Sequence, residues 1–540
     1  MSKPLETLEE FTRARRIRVH PLIHYQGYIW VIAALTLIVP ALYGLIFQYN
    51  VPRETSVALY MLDYGLGFLM VGLVIAYLTM PARRLRRDEA LILTVATWLL
   101  VPLLVALPVA EALHVPFIDT WFESVSGFTT TGLSMFTGAR DSLTGTYVPT
   151  VEQLPKTVLF WRSFIQWVGG VGIVVAAITI ITRPGSAARL LYISEGRSER
   201  IEPSTSTTAK RVLLVYTIVT AIATIILYIS GMNWFDALNH AMAAVATGGF
   251  STKNGSIGEY HSIAVELAAI AAMIFGAISF SDWYNLLIKG RVRRFLASPE
   301  FKMLISITAL ATLAGQIALM EAGYGLFQAL RYSLFQVVSS ITTTGFQNRG
   351  LADLPDSFKL VLIVLSLIGG SAFSTAGGVK LLRVLIAVKS VLWEARSSVA
   401  PRGYAPRRRI AWILVSDDDV RRAFTVIFAY IVAMLVSTFI ALLVAPQYRL
   451  VDMSLEVASA LGNVGISVGI TGASMPVALK ILFIADMLLG RLEILPYFFA
   501  VYVIYSRLVR SARARRGRKR LEKLEETLGY RGEGVYATSL

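Results

Sequence analysis

Phe128-Thr129-Thr130-Thr131-Gly132 is a short run of small polar residues in an otherwise apolar chain, and three variants of it follow. They are Ala246-Thr247-Gly248-Gly249-Phe250, Thr342-Thr343-Thr344-Gly345-Phe346 and Gly462-Asn463-Val464-Gly465-Ile466. Each stands behind a half-length amphiphilic stretch and ahead of a longer hydrophobic one. Glycine tolerates positive φ and close backbone approach, so successive carbonyls can turn to one side. Threonine is stiff, and its hydroxyl can tie a loop to its neighbours. One such string is as consistent with an ordinary turn as with a filter. Four in register behind short helices would set carbonyls around one axis, where they replace the hydration shell of a monovalent cation. None of these positions is acidic, which favours potassium, the more easily dehydrated ion, over sodium.

Composition places the four turns in a membrane. Of 540 residues, 55% are hydrophobic and 16% charged, and at least seven stretches exceed ~18 residues with few charges. The first begins near Ile23 behind a basic leader without a small-residue cleavage pattern, so an uncleaved span is expected. The net charge of +16 would raise nucleic acid in a soluble domain. Here forty of the 51 Lys and Arg cluster in six segments, 1–20, 81–88, 183–211, 288–302, 379–422 and 507–531, at every second end of the expected spans. That is the positive-inside pattern, with both termini cytoplasmic and no nucleic-acid partner. There is no cysteine, which excludes disulfides, thiolate metal sites and cysteine nucleophiles.

Alignment on the glycines tests for repetition. Thirteen residues earlier stand Asp119, Asp236, Tyr332 and Asp452, so the third unit alone lacks the carboxylate. Nine residues earlier stand Glu123, His240, Gln336 and Glu456, all polar, and six earlier Ser126, Ala243, Ser339 and Ser459, all small. The twelve or so residues leading to each turn make a helix of about 18 Å, too short for a bilayer core of about 30 Å. A segment that enters halfway and returns must satisfy its backbone with protein or water. Asp at the start of such a helix suits a cap or dipole partner.

The expected fold is an all-α polytopic membrane protein of about ten spans. Two leading helices (within residues 1–87) precede four parallel repeats of long helix, pore helix, turn and second long helix. The repeats cover 88–209, 210–301, 302–420 and 421–508, and a basic tail covers 509–540. Even numbers of spans give all repeats one orientation, so they can surround a pseudo-fourfold pore with short-helix C-termini aimed at a central cavity.

Gly369-Gly370-Ser371-Ala372-Phe373-Ser374-Thr375-Ala376-Gly377-Gly378 should interrupt its helix, since glycine costs about 1 kcal/mol relative to alanine. It reads as a broken helix forming a gate beneath the filter, with close helix crossing as the alternative. Arg491 in the last long helix has a carbonyl of that loop as its expected partner, or it snorkels to the interface. Arg162 and Lys480 are expected near the interface. Gly169-Gly170-Val171-Gly172 reads as packing, and no catalytic motif appears, so the chain is not read as an enzyme.

Several strings together resemble the Trk/Ktr/HKT superfamily of potassium transporters. They are Ser124-Val125-Ser126-Gly127-Phe128-Thr129-Thr130-Thr131-Gly132, Thr247-Gly248-Gly249-Phe250-Ser251-Thr252, and Phe335-Gln336-Val337-Val338 leading to Thr344-Gly345-Phe346. Gln166-Trp167-Val168-Gly169-Gly170 and Leu489-Gly490-Arg491-Leu492-Glu493 belong with them. The likeness covers about residues 25–508, and the two leading spans resemble the Trk-type subunit.

The resemblance implies potassium uptake through a filter built on Thr130, Thr131 and Gly132, Thr247, Gly248 and Gly249, Thr343, Thr344 and Gly345, and Asn463, Val464 and Gly465. It implies a gate of Gly369, Gly370, Ser371, Ser374, Thr375, Gly377, Gly378 and Arg491. A homodimer and a cytosolic ring of nucleotide-binding regulatory subunits are implied as well, with potassium as the bound ion and no organic cofactor in this chain. Two departures stand out: the fourth turn is Asn-Val-Gly, and Ala376 replaces the usual glycine. A secondary transporter or symporter coupling potassium to sodium or protons is the rival reading, although such carriers place carboxylates midspan, and here the carboxylates cluster at pore-helix starts.

Overall fold

The computed structural model describes residues 19–80, 85–172, 205–399, 408–506 and 509. The basic leader, most of the linker after Gly172, part of the 391–420 linker and the basic tail lie outside them. Two long apolar helices come first, α1 (Val19–Phe47) and α2 (Pro52–Leu78). They form an antiparallel hairpin with backbones in contact at glycines: a Cβ on Gly72 would lie 2.7 Å from the Gly27 carbonyl oxygen. Small residues that allow such approach drive helix association in lipid, where no hydrophobic effect operates.

The first unit continues with α3 (Arg87–Leu113), the twelve-residue α4 (Phe117–Phe128) and, after a long loop, α5 (Lys156–Val171). The second has α6 (Thr205–Ile229), the short α7 (Trp234–Val245), α8 (Ile263–Ala277) and α9 (Phe280–Leu287), then a single turn α10 (Val292–Leu296). The third has α11 (Pro299–Glu321), α12 (Leu326–Ile341), α13 (Asp356–Ile368) and α14 (Leu381–Ser398). A small hairpin, β1 (Arg409–Ile410) paired with β2 (Ile413–Leu414), precedes the fourth unit. That unit has α15 (Asp417–Val444), α16 (Leu450–Leu461), α17 (Val477–Arg491) and α18 (Leu495–Ser506).

The order long helix, short helix, turn, helix therefore occurs four times. The short helices α4, α7 and α16 are buried through nearly their whole length, and α12 through its C-terminal half. Among the described residues, six helices are long and apolar enough to cross a membrane, or eight if each bent pair counts as one. Of the remaining second helices, α5 is described only as far as Val171, and α13 ends after thirteen residues. In the second unit α8 and α9 meet at 106°, and in the fourth α17 and α18 meet at 98°. In the third, α13 stops at Gly369 and α14 begins at Leu381, so the expected interruption is present. The bends at 278–279 and 492–494 carry no run of glycines, and the sequence reading missed them.

The glycine-to-glycine approach of α1 and α2 is directly testable. Gly72→Val should lower stability by about 1–3 kcal/mol through overpacking. Gly67→Val, where a Cβ meets nothing within 4 Å, should be nearly neutral. Thermal midpoints of the two variants in detergent check this.

Candidate functional site

The four turns share one backbone conformation. The residue two before each glycine lies in the left-handed region although none is glycine: Thr130 at φ 56°, and Thr247, Thr343 and Asn463 each at 54°. The glycines follow at 92°, 72°, 86° and 93°, with residues of ordinary φ between. Alternating the sign of φ reverses the twist of successive peptides, which turns consecutive carbonyls toward one side.

The turns also meet one another in a closed cycle. A Cβ on Gly132 would lie 2.1 Å from the Gly248 oxygen, and one on Gly249 2.0 Å from the Thr344 oxygen. A Cβ on Gly345 would lie 2.0 Å from the Val464 oxygen, and one on Gly465 2.0 Å from the Thr131 oxygen. Turn one thus touches turn two, two touches three, three touches four and four touches one. The carbonyl before each glycine occupies the space a side chain on the neighbouring glycine would need. All twelve residues expected in the filter lie in or beside this cycle.

Side chains at the repeated positions fix it. Six residues before the glycine, Ser126 Oγ accepts the Gly132 N–H at 3.0 Å, and Ser459 Oγ accepts the Gly465 N–H at 2.9 Å. Ser339 Oγ instead donates to the Phe346 carbonyl at 2.6 Å. Nine residues before it, Glu123 accepts from the Met135 N–H at 2.8 Å and Glu456 from the Val468 N–H at 2.9 Å. His240 and Ser251 share a hydrogen bond at 2.8 Å, and Gln336 donates to Asn348 at 3.2 Å. Each of these polar residues therefore anchors the segment leaving its own turn. In turns one and three the flanking threonine hydroxyls pair, Thr129 with Thr131 and Thr342 with Thr344, both at 2.8 Å. Turn four replaces this with Asn463, whose Nδ2 donates to Thr131 Oγ1 at 3.0 Å and to the Met487 carbonyl at 2.8 Å.

Arg162 and Lys480 are not interfacial. Arg162 is buried, donates to Glu123 at 2.7 Å and to the Ser251 carbonyl at 2.8 Å, and lies over the Phe250 ring. Lys480 is fully buried between Asp119 and Asp141, the latter at 2.7 Å. Burial pushes the Asp119 carboxyl up to about 6 against the pull of Lys480. In Asp141 the opposing bonds from Lys480 and Thr144 outweigh burial and hold it at about 2.

Lys480 belongs to a pattern. Lys359 on α13 bonds Asp452 at the start of α16 at 2.7 Å, and Glu266 on α8 bonds Arg331 at the start of α12 at 2.7 Å. At three of four seams an ion pair joins the second helix of one unit to the short helix of the next. At the second seam the signs are exchanged, which accounts for the missing Asp at Tyr332. Distance from the glycine motif concealed these partners, because each pair is 65 or more residues apart in sequence. At the remaining seam Leu159 takes the lysine's position, and Asp236 instead accepts from Thr252 at 2.6 Å.

The 369–378 loop lies against the second, third and fourth turns, and Arg491 links it to the first. Thr375 Oγ1 bonds the Val245 and Gly276 carbonyls, each at 2.9 Å, and is 3.3 Å from Thr247 Oγ1. The Gly377 N–H donates to Thr343 Oγ1 at 2.8 Å, and a Cβ on Gly377 would sit 2.2 Å from the Gly462 oxygen. Arg491 Nη1 donates to Thr130 Oγ1 and to the Thr375 carbonyl, both at 3.0 Å, and Nη2 donates to the Gly169 carbonyl. The loop carbonyl expected as partner of Arg491 is therefore that of Thr375. Gly369 and Gly378 have φ of 77° and 72°, whereas Ala376 is outside the left-handed region and suffers no strain as alanine. Gly370 lies against Ala376 and Ala277. Ser371 is held by the Ala277 carbonyl, and Ser374 Oγ donates back to the Ser371 carbonyl at 2.7 Å. A cavity of about 40 Å³ opens beside the loop between Trp98, Lys380, Arg491 and Glu493. Asp486, buried midway along α17, accepts from Ser437 at 2.6 Å while its second oxygen has no hydrogen-bond partner among the described residues.

The TrkH family profile, described as a cation transport protein, matches residues 66–507. An uncharacterized cation transporter of Methanocaldococcus jannaschii is 31% identical, over 91% of this chain and 97% of its own length. The Trk system potassium uptake protein TrkH of Halomonas elongata is 29% identical, over 90% and 98%. The crystal structure of the potassium transporter TrkH from Vibrio parahaemolyticus superposes with a TM-score of 0.74 at 26% identity, covering 89% of this chain and 98% of that one.

Removing one member of a buried ion pair leaves the other charge uncompensated, at a cost of about 3–5 kcal/mol. Lys359→Met should therefore lower the thermal midpoint sharply, and Lys359→Met with Asp452→Leu should recover most of it. A double variant no more stable than the single would show that the seam pair does not hold the units together.

Proposed function

The chain belongs to the TrkH family of cation transport proteins, and on that premise we propose that it takes up potassium across the cell membrane through a channel-like pore. The observation that carries the reading is the closed cycle of four turns in which every glycine faces a neighbour's carbonyl oxygen. Carbonyl dipoles held at fixed spacing exchange for the hydration shell of potassium at little net cost, while sodium, more tightly hydrated, gains less. Thr130, Thr131, Thr247, Gly248, Thr343, Thr344, Asn463 and Val464 would supply those oxygens, with Gly132, Gly249, Gly345 and Gly465 allowing the approach. The four repeats, each with long helix, pore helix and second helix, would surround the passage with short-helix C-termini directed inward.

The 369–378 loop and Arg491 would form the gate. Their bonds to Thr130, Thr247 and Thr343 support this, since a fixed positive charge next to the filter opposes cation passage. Cytoplasmic termini follow from the basic segments. The resemblance also supports a homodimer and a cytosolic ring of nucleotide-binding subunits, for which the basic linkers offer docking charge. Asp486 favours a second reading, coupling of potassium entry to another cation, because a half-satisfied buried carboxylate can exchange a proton.

Potassium flux into proteoliposomes under a potassium gradient alone, without a sodium or pH gradient, separates the two readings. Uptake supports the channel-like pore, and its absence, with uptake restored by a second gradient, supports coupling. Gly132→Ser should reduce potassium-over-sodium discrimination by about tenfold or more, because the new Cβ collides with the Gly248 carbonyl and the position requires positive φ. Unchanged discrimination in competition flux would remove Gly132 from the filter. Arg491→Ala should raise resting leak, and a tightly closed variant would reject its role at the gate.

A further inference from the structure

The second turn differs from the others at three places, and one side chain accounts for all of them. Turns one, three and four carry Ser126, Ser339 and Ser459 six residues before the glycine, and each hydroxyl bonds the turn. Turn two has Ala243 there, without a hydroxyl. Immediately before the glycine stand Thr131, Thr344 and Val464, but Gly248 in turn two. The third difference lies on the second helix of the preceding unit. Eleven residues after the leading Pro155, Ser262, Pro355 or Pro476 stand Gln166, Met273, Ser366 and Met487, so only the first unit presents a carboxamide.

Gln166 is fully buried. Its Nε2 donates to the Gly248 carbonyl at 2.5 Å, and its Oε1 accepts the Phe250 N–H at 3.1 Å. The two partners fix the orientation of the amide, since only its nitrogen can donate and only its oxygen can accept. One side chain from the first unit therefore brackets Gly249 of the second. A Cβ on Gly248 would lie 2.5 Å from the Gln166 carboxamide carbon, so glycine at 248 is what admits the amide.

We infer that Gln166 is a positioning and specificity-determining residue: through the Gly248 carbonyl and the Phe250 N–H it anchors turn two, which lacks the serine hydroxyl that bonds the glycine N–H in turns one and four and the Phe346 carbonyl in turn three. It also makes that carbonyl unlike its counterparts. Among the described residues the Thr131, Thr344 and Val464 carbonyls accept no hydrogen bond, whereas the Gly248 oxygen is shared with an N–H. On this basis the ring has one weaker oxygen in four. The inference deepens the reading of the turns as a cation filter and rests on it.

The test uses full-length protein in proteoliposomes, with potassium flux measured against sodium competition. Gln166→Met keeps the side-chain volume and removes both bonds; it should lower potassium-over-sodium preference about five- to tenfold, the usual effect of losing a buried hydrogen bond. Adding Ala243→Ser should restore at least half of the loss by supplying the hydroxyl found in the other turns. Wild-type preference in Gln166→Met would reduce Gln166 to a space filler and overturn the inference. If Gln166→Met does not fold, Gln166→Met with Ala243→Ser must recover monodisperse, selective protein, and failure to do so overturns it equally. Absence of potassium flux from the unsubstituted protein would strike the functional reading instead; rescue of the Gln166→Met thermal midpoint by Ala243→Ser would then still decide the bonding role.

Discussion

Four carbonyl oxygens occupy four places where a side chain is missing, and that mutual exclusion governs the rest of the molecule. Each glycine must be glycine because its neighbour's oxygen stands about 2 Å from where a Cβ would be. Each residue two positions earlier must adopt positive φ so that the chain can present its backbone there, and three of the four are β-branched threonines, for which this conformation is strained. Strain of about 1–3 kcal/mol per site persists only where surroundings over-determine the backbone. They do so here: Thr130 and Thr247 hydroxyls fold back onto the preceding carbonyl at 2.7 and 2.6 Å, and Asn463 is tied to two partners.

The short helices that deliver these turns cannot be held by lipid, so they are held by charge at the seams. An ion pair removed from water gains little net stability but fixes geometry, since any misplacement exposes a bare charge to a low dielectric. Reversal of sign at the Glu266–Arg331 seam shows that what matters there is the pairing and not the carboxylate. The seam without an ion pair is the one crossed by Arg162 and Gln166, which reach the second unit's backbone directly. Four seams are thus closed by two different chemistries.

Much of this was readable in sequence because repetition makes position meaningful. The turns, the polar anchors at nine residues and the interrupted helix at 369–378 all follow from spacing and composition. The fate of Lys480 and Arg162 did not follow, because an apolar helix with one cation looks the same whether that cation meets lipid headgroups or a carboxylate 361 residues away. Tyr332 looked like a lapse in the repeat until Arg331 appeared opposite Glu266. Likewise Ala243 read as one more small residue; its missing hydroxyl acquired meaning only when Gln166 was seen in its place. The 98° and 106° bends were invisible because hydropathy is indifferent to direction.

Thr130, Thr247, Thr343 and Asn463 contribute backbone to the turns while their side chains meet Arg491, Thr375, Gly377 and, for Asn463, the packed face of Gly377. The loop between α13 and α14 therefore cannot withdraw without releasing bonds that support the left-handed residues. On the proposed reading, filter and gate are one mechanical unit: the closed arrangement stabilises the strained turns, and opening relaxes that support. Gly377 is the tightest point of this contact, with Gly462 and Asn463 both within reach of a methyl group. Close-packed contacts of this kind switch between discrete arrangements instead of deforming gradually. A loop seated on the second, third and fourth turns, and linked to the first through Arg491, is accordingly suited to release them together.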